Sequence, residues 1–291
     1  KKIKDKRDKI AVKALGLIPL SKTTPEKDLL SRYNLLQEFL KESKQFGAQR
    51  QESEKLAVEI GLENLSRNAG FEDSIRFSWS MEAKATEAIM KNATFIEDNV
   101  VIELIINEHG EADILVEKGG KKQKTIPAKY KKDKAIIALK EGKSYLKKQY
   151  SRTRVSLENA MLRADEFTID ELNKIMIHPI VKTMLSKLVL FQKENGNSGF
   201  WKNNTVVDLN GQEIPVQSNT CFVIAHPSYL YQSVNWDLYQ KYLFTNEMVQ
   251  PFKQIFRELY VVTTDELEKG HRSERYQGHQ IQVKKTVALL K

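Results

Sequence analysis

Two histidines, His178 and His226, stand directly before a proline, and a late polar set, Gln250, Gln254, Arg257 and Glu258, interrupts an apolar run. These are the residues that could do chemistry. Proline excludes the residue before it from the helical region, so each imidazole is aimed in a fixed direction, as a base or a metal ligand must be. Arg257 could pair a carboxylate bidentately or hold an anionic ligand the same way. An enzyme built on this set would have its site near His178, His226, Arg257 and Glu258, with the reaction unassigned. Each group also has a plainer use. A histidine at the start of an element caps it by bonding backbone, and a buried ion pair sets register without chemistry. The plainer use takes precedence, because no His-x-x-x-His, no Cys-x-x-Cys and no carboxylate at ligand spacing accompanies them. Nor is there a glycine-rich phosphate loop or a Gly-x-Ser-x-Gly. No metal and no cofactor is expected. His109, in the turn Glu108-His109-Gly110, reads as a solvated loop residue, and Cys221, the single cysteine, as a buried inert thiol.

The charge is local. Residues 118–154 hold fourteen Lys and Arg against only Asp133 and Glu141, a net of +12, so the rest of the chain carries −3 of the overall +9. An anionic partner should therefore meet this segment, with Lys140, Lys143, Lys147, Lys148, Arg152 and Arg154 on its helical part. A solvated helix face is the plainer reading. Aromatic interleaving for base stacking is thin, which places nucleic acid behind a protein partner. One cysteine fits a reducing cytoplasm. No run is long and apolar enough to span a bilayer, no apolar leader opens the chain, and a first residue other than Met reads as a piece of a longer polypeptide.

The elements that must position these residues follow from the periodicities. Residues 1–91 read as a helical region: a short basic helix over 1–15, stopped by Gly16, then helices over 25–46, 50–67 and 79–91. Leu29, Tyr33, Leu36 and Leu40 mark the buried face of the second. Residues 92–165 read as a β-hairpin (99–106 with 112–117) and a long basic helix from Lys134. In that helix Leu139, Gly142, Leu146, Tyr150, Thr153, Leu157 and Met161 fall on one side. Residues 166–291 read as a mixed domain opened by the capping box Thr168–Glu171. Its strands near 188–191, 200–201, 206–209 and 221–224 form an antiparallel sheet with turns at Asn195-Gly196 and Asn210-Gly211. A helix over 236–244, a strand over 254–262 and a helix over 275–290 complete it. The fold class is α+β, an N-terminal helical layer, a hairpin with a long basic helix, then a C-terminal domain with an antiparallel sheet, all three parts able to form one continuous globule.

Several motifs carry a resemblance. The segments 14–20, 46–51, 64–71 and 79–83, with the two His-Pro pairs, Trp236, Gln250-Pro251-Phe252-Lys253-Gln254 and Arg257-Glu258-Leu259-Tyr260, resemble the C-terminal region of MolR-like (molybdate metabolism regulator-like) bacterial proteins. The later group is similar to their domain of unknown function number 4132. The likeness spares the basic middle. It implies a large cytoplasmic protein, some members carrying a WGR domain, encoded beside MoxR-type ATPases and von Willebrand A-like proteins. It implies no catalytic residues. The expectation is a non-catalytic regulatory or protein-interaction module. Its partners would be the rest of its own polypeptide and, by family analogy, a MoxR-type ATPase or a von Willebrand A-like protein.

Overall fold

The computed structural model describes residues 2–217, 219–270, 274–275 and 277–283. The chain forms two compact units, Lys1–Ile255 and Phe256–Lys291. The first opens on helices α1 (Lys2–Lys6), α2 (Lys9–Leu15), α3 (Pro25–Ser43), α4 (Ala48–Asn68) and α5 (Ser74–Met90). The single helix expected over 1–15 is broken at Arg7, which adopts a left-handed φ of 47°. The break aims its guanidinium at Glu54 on α4 (3.1 and 2.6 Å) and over the Phe39 ring. Asp8 then restarts the helix by accepting from the amides of Ile10 and Ala11. α5 begins at Ser74 rather than Trp79, because Asp73 caps it through the Ile75 and Arg76 amides. Gly16 does more than stop α2. A Cβ there would sit 2.4 Å from the Leu65 nitrogen, so α2 lies directly on the α4 backbone. Val12, Tyr33, Leu36, Val58, Leu65 and Phe77 form the apolar centre of this layer.

Four antiparallel strands follow as a meander, β1 (Thr94–Glu97), β2 (Val100–Ile106), β3 (Ala112–Lys118) and β4 (Lys121–Lys122). The expected hairpin is β2–β3, with Ile102 opposite Val116. Val100, Ile102 and Leu104 alternate into the core. Helix α6 (Lys134–Arg163) is the long element, roughly 45 Å at 1.5 Å per residue. Asp133 caps its start and Ala164 ends it in a left-handed conformation. Its buried stripe is the expected one, except that Tyr150 is half-buried.

The second sheet has the order β5-β9-β6-β7-β8 and is antiparallel throughout. Its strands are β5 (Glu166–Thr168), β6 (Val189–Phe191), β7 (Ser198–Lys202), β8 (Thr205–Val207) and β9 (Cys221–Ile224). Helices α7 (Ile169–Ile175) and α8 (Pro179–Leu185) precede β6, while α9 (Pro227–Gln232) and α10 (Trp236–Thr245) follow β9. Asn203 and Asn204, both left-handed, make the tight β7–β8 turn. At Asn210-Gly211 the chain folds back to a lone bridge, Val207 to Glu213, and not to a full strand.

No strand forms over 254–262; residues 254–257 turn and 258–263 are irregular. The helix expected over 275–290 lies mostly outside the described residues. In the second unit the described helix is α11 (Thr264–Lys269), held by a Thr263–Glu266 capping box. Among the described residues no helix is long and apolar enough to cross a membrane.

Candidate functional site

Both histidines cap helices. His178 precedes α8, and its Nδ1 accepts from the Ile180 amide at 3.2 Å. Nδ1 as acceptor requires Nε2 to carry the ring proton. Nε2 lies 2.5 Å from the Gln149 Nε2, a donor facing a donor. Turning the amide through half a rotation hands Oε1 to His178 and the NH2 to Thr86, whose hydroxyl is already bonded to this amide. The imidazole is buried, and burial pushes its pKa down to about 4. His226 precedes α9, with Nδ1 3.3 Å from the Ser228 amide and 2.8 Å from its hydroxyl. Each imidazole serves its own helix, and no hydrogen bond joins them. Arg257 and Glu258 belong to the second compact unit.

The depressed pKa of His178 fixes a pH dependence. The folded chain favours the neutral ring, so its contribution is complete above about pH 6.5 and is lost as pH falls from there through 4. The loss amounts to at most about 3 kcal/mol. His178→Asn keeps a capping oxygen and cannot titrate. Urea unfolding from pH 7 to 4 should show a shallower decline for this variant, and identical slopes would contradict the assignment.

Gln254 explains why the expected strand is missing. Its fully buried amide lies across the ends of β6 and β9. Oε1 accepts from the Val189 amide (2.9 Å), and Nε2 donates to the carbonyls of Val189 (2.8 Å) and Ala225 (2.9 Å). Gln250 donates to the same Oε1 and to the Lys187 carbonyl, while Trp236 donates to the Ile255 carbonyl. Residue 254, expected to open a strand, instead joins the sheet through its side chain.

The basic surface is uneven. Lys140, Lys147, Lys148 and Arg154 are exposed along α6, and so are Lys118, Lys121, Lys122, Lys124, Lys131 and Lys132 before it. Lys143 pairs with Asp113 at 2.6 Å and Lys129 with Asp98. Arg152 turns inward to the buried Glu82, so its charge is spent inside the fold. Cys221 is half-buried rather than fully buried, and burial pushes its thiol pKa up, which leaves it a poor nucleophile.

Sequence reasoning missed an open cleft of about 240 Å³ between the β2–β3 turn, α6, α8 and residues 249–251. His109, Glu111, Tyr150, Met184 and Lys187 line it, and the Lys187 ammonium lies 3.2 Å from His109 Nδ1. The signal was faint: Gly110 at φ 82°, where a Cβ would come within 2.3 Å of Thr183 Oγ1, seats the turn on α8. Among the described residues no group of three His, Cys, Asp or Glu could hold a metal ion.

The fold and these capping devices define an α+β chain whose signature residues tie helices and a sheet together. Residues 120–291 match the family model described as a domain of unknown function, DUF4132, and the chain belongs to that family. Residues 1–81 match a second model, a family of unknown function, DUF5724. No curated protein and no solved structure matches the chain. Most of the opening motifs that carried the resemblance thus fall under the DUF5724 model. The DUF4132 match takes in most of the basic segment that the resemblance left aside.

Proposed function

We propose that the chain is a non-catalytic interaction module that docks an acidic protein surface through residues 118–154. The observation that carries this reading is the density of exposed lysine and arginine on α6 and the connection before it, where carboxylate partners are few. The likeness to MolR-like regulators extends it. Such a module would serve the rest of its own polypeptide or an acidic face of a MoxR-type ATPase or von Willebrand A-like protein. The alternative of a reaction centre draws no support from His178, both of whose ring nitrogens are engaged.

The test compares the chain with the triple variant Lys140→Glu, Lys147→Glu, Arg154→Glu. Binding to labelled poly-glutamate and to a duplex oligonucleotide is read by anisotropy across a salt series. Poly-glutamate should bind, weaken with salt, and lose about tenfold or more in the variant while melting is unchanged. Tighter binding of the duplex, with a steep salt slope, would replace the protein partner by nucleic acid. Binding of neither overturns the reading.

A further inference from the structure

We propose that the cleft beside His109 binds a free α-amino acid with a short apolar side chain. The first ground is charge. Lys187 and Glu111 both line the cleft, yet no ion pair joins them, so its wall carries one cationic and one anionic residue. The Lys187 ammonium instead meets the ring nitrogen of His109, which fixes its position without cancelling its charge. A simple anion would meet Glu111 and a simple cation would meet Lys187. A zwitterion satisfies both.

The second ground is the wall. Met184 is buried beneath the cleft, and Val249 and Pro251 line it with the Tyr150 ring, an apolar seat for a side chain. Burial pushes the Tyr150 phenol upward, so its hydroxyl stays protonated and able to donate. No hydrogen bond joins that hydroxyl to another of the described residues.

The third ground is construction. Gly110, at φ 82° and with no room for a Cβ beside Thr183, holds the turn that carries His109 and Glu111. On the opposite side Gln250 donates to the Lys187 carbonyl at 3.0 Å. That bond ties Val249 and Pro251 to the residue that supplies the cation. At about 240 Å³ the space falls below the roughly 300–1,000 Å³ of sites for drug-sized ligands, too small for a nucleotide and adequate for one amino acid.

Isothermal titration of the 291-residue chain decides the matter. L-leucine should bind saturably at a single site. The analogues 4-methylpentanoate, lacking the ammonium, and isopentylamine, lacking the carboxylate, should each bind about tenfold or more weakly. Lys187→Met should weaken leucine about tenfold and abolish its advantage over isopentylamine, and Glu111→Gln should abolish its advantage over 4-methylpentanoate. Absence of saturable leucine binding, or analogues that bind as tightly as leucine, overturns the proposal. The analogue series on the unaltered chain is decisive even if a variant fails to fold. This outcome is independent of whether the basic surface binds an acidic partner.

Discussion

Replacing Gln254 with leucine should destabilise the chain by about 3–5 kcal/mol. The shape is nearly kept, so the cost lies in what is left unbonded. The Val189 amide loses its acceptor and the Ala225 carbonyl loses its donor, both inside the core, while the Val189 carbonyl keeps the Ala225 amide at 2.8 Å. Each stranded buried group costs about 1–3 kcal/mol. Gln254→Glu sharpens the test. The carboxylate can still accept from Val189, but at neutral pH it sets negative oxygens against two carbonyls. It should be as damaging as leucine at pH 7 and partly relieved in acid, where the acid form recovers one donor. Lys253→Ala, one residue away and exposed, should stay within about 0.5 kcal/mol. Urea unfolding reads all three, and a Gln254→Leu loss below about 1 kcal/mol would show that the clamp is not what joins β6 to β9.

The same residue shows where sequence reading succeeds and stops. Elements governed by periodicity and local caps were legible: the α6 stripe, the β2–β3 hairpin, the Thr168–Glu171 box and the helix at Trp236. The helices and caps depend on neighbours three or four residues away, and the hairpin on alternating residues paired across one short turn. The stretch over 254–262 has strand-like residues, but its bonds run through a side chain to partners 65 and 29 residues distant. No local pattern carries such a partnership. Arg7 is similar, since the break at that position follows from Glu54, 47 residues on. The site was split in the same way. The His-Pro pairs correctly marked fixed imidazoles, and the capping use given precedence in the sequence is the one both make. The cleft escaped notice because His109, Tyr150, Lys187 and Gln250 come from four separate segments, and His109 alone looks like any turn residue. Arg152 counted as surface charge because helical spacing gives no hint of a buried carboxylate on α5.

That carboxylate sets the second large effect. Arg152→Ala should cost about 3 kcal/mol at pH 7. Glu82 is 2% exposed, and its Oε1 receives the Arg152 Nε and Nη2, both at 2.7 Å, and the Tyr33 hydroxyl at 3.0 Å. Burial already holds this carboxyl above the ordinary range despite the arginine beside it. Without the guanidinium only Tyr33 remains, and the group must take up a proton or lie charged in the core. The folded variant then binds a proton that the unfolded chain releases above about pH 4.3. Its deficit should therefore grow as pH rises and shrink towards pH 5, the reverse of the acid sensitivity assigned to His178. The opposite deletion is milder. Glu82→Gln keeps an acceptor for Tyr33 and leaves Arg152, 36% exposed at its side chain, free to turn to water, for about 1–2 kcal/mol. The order of the two losses follows from which partner can reach solvent. Equal losses for the two variants in urea unfolding at pH 7, or an Arg152→Ala deficit unchanged at pH 5, would mean that Glu82 is not stranded when its partner goes.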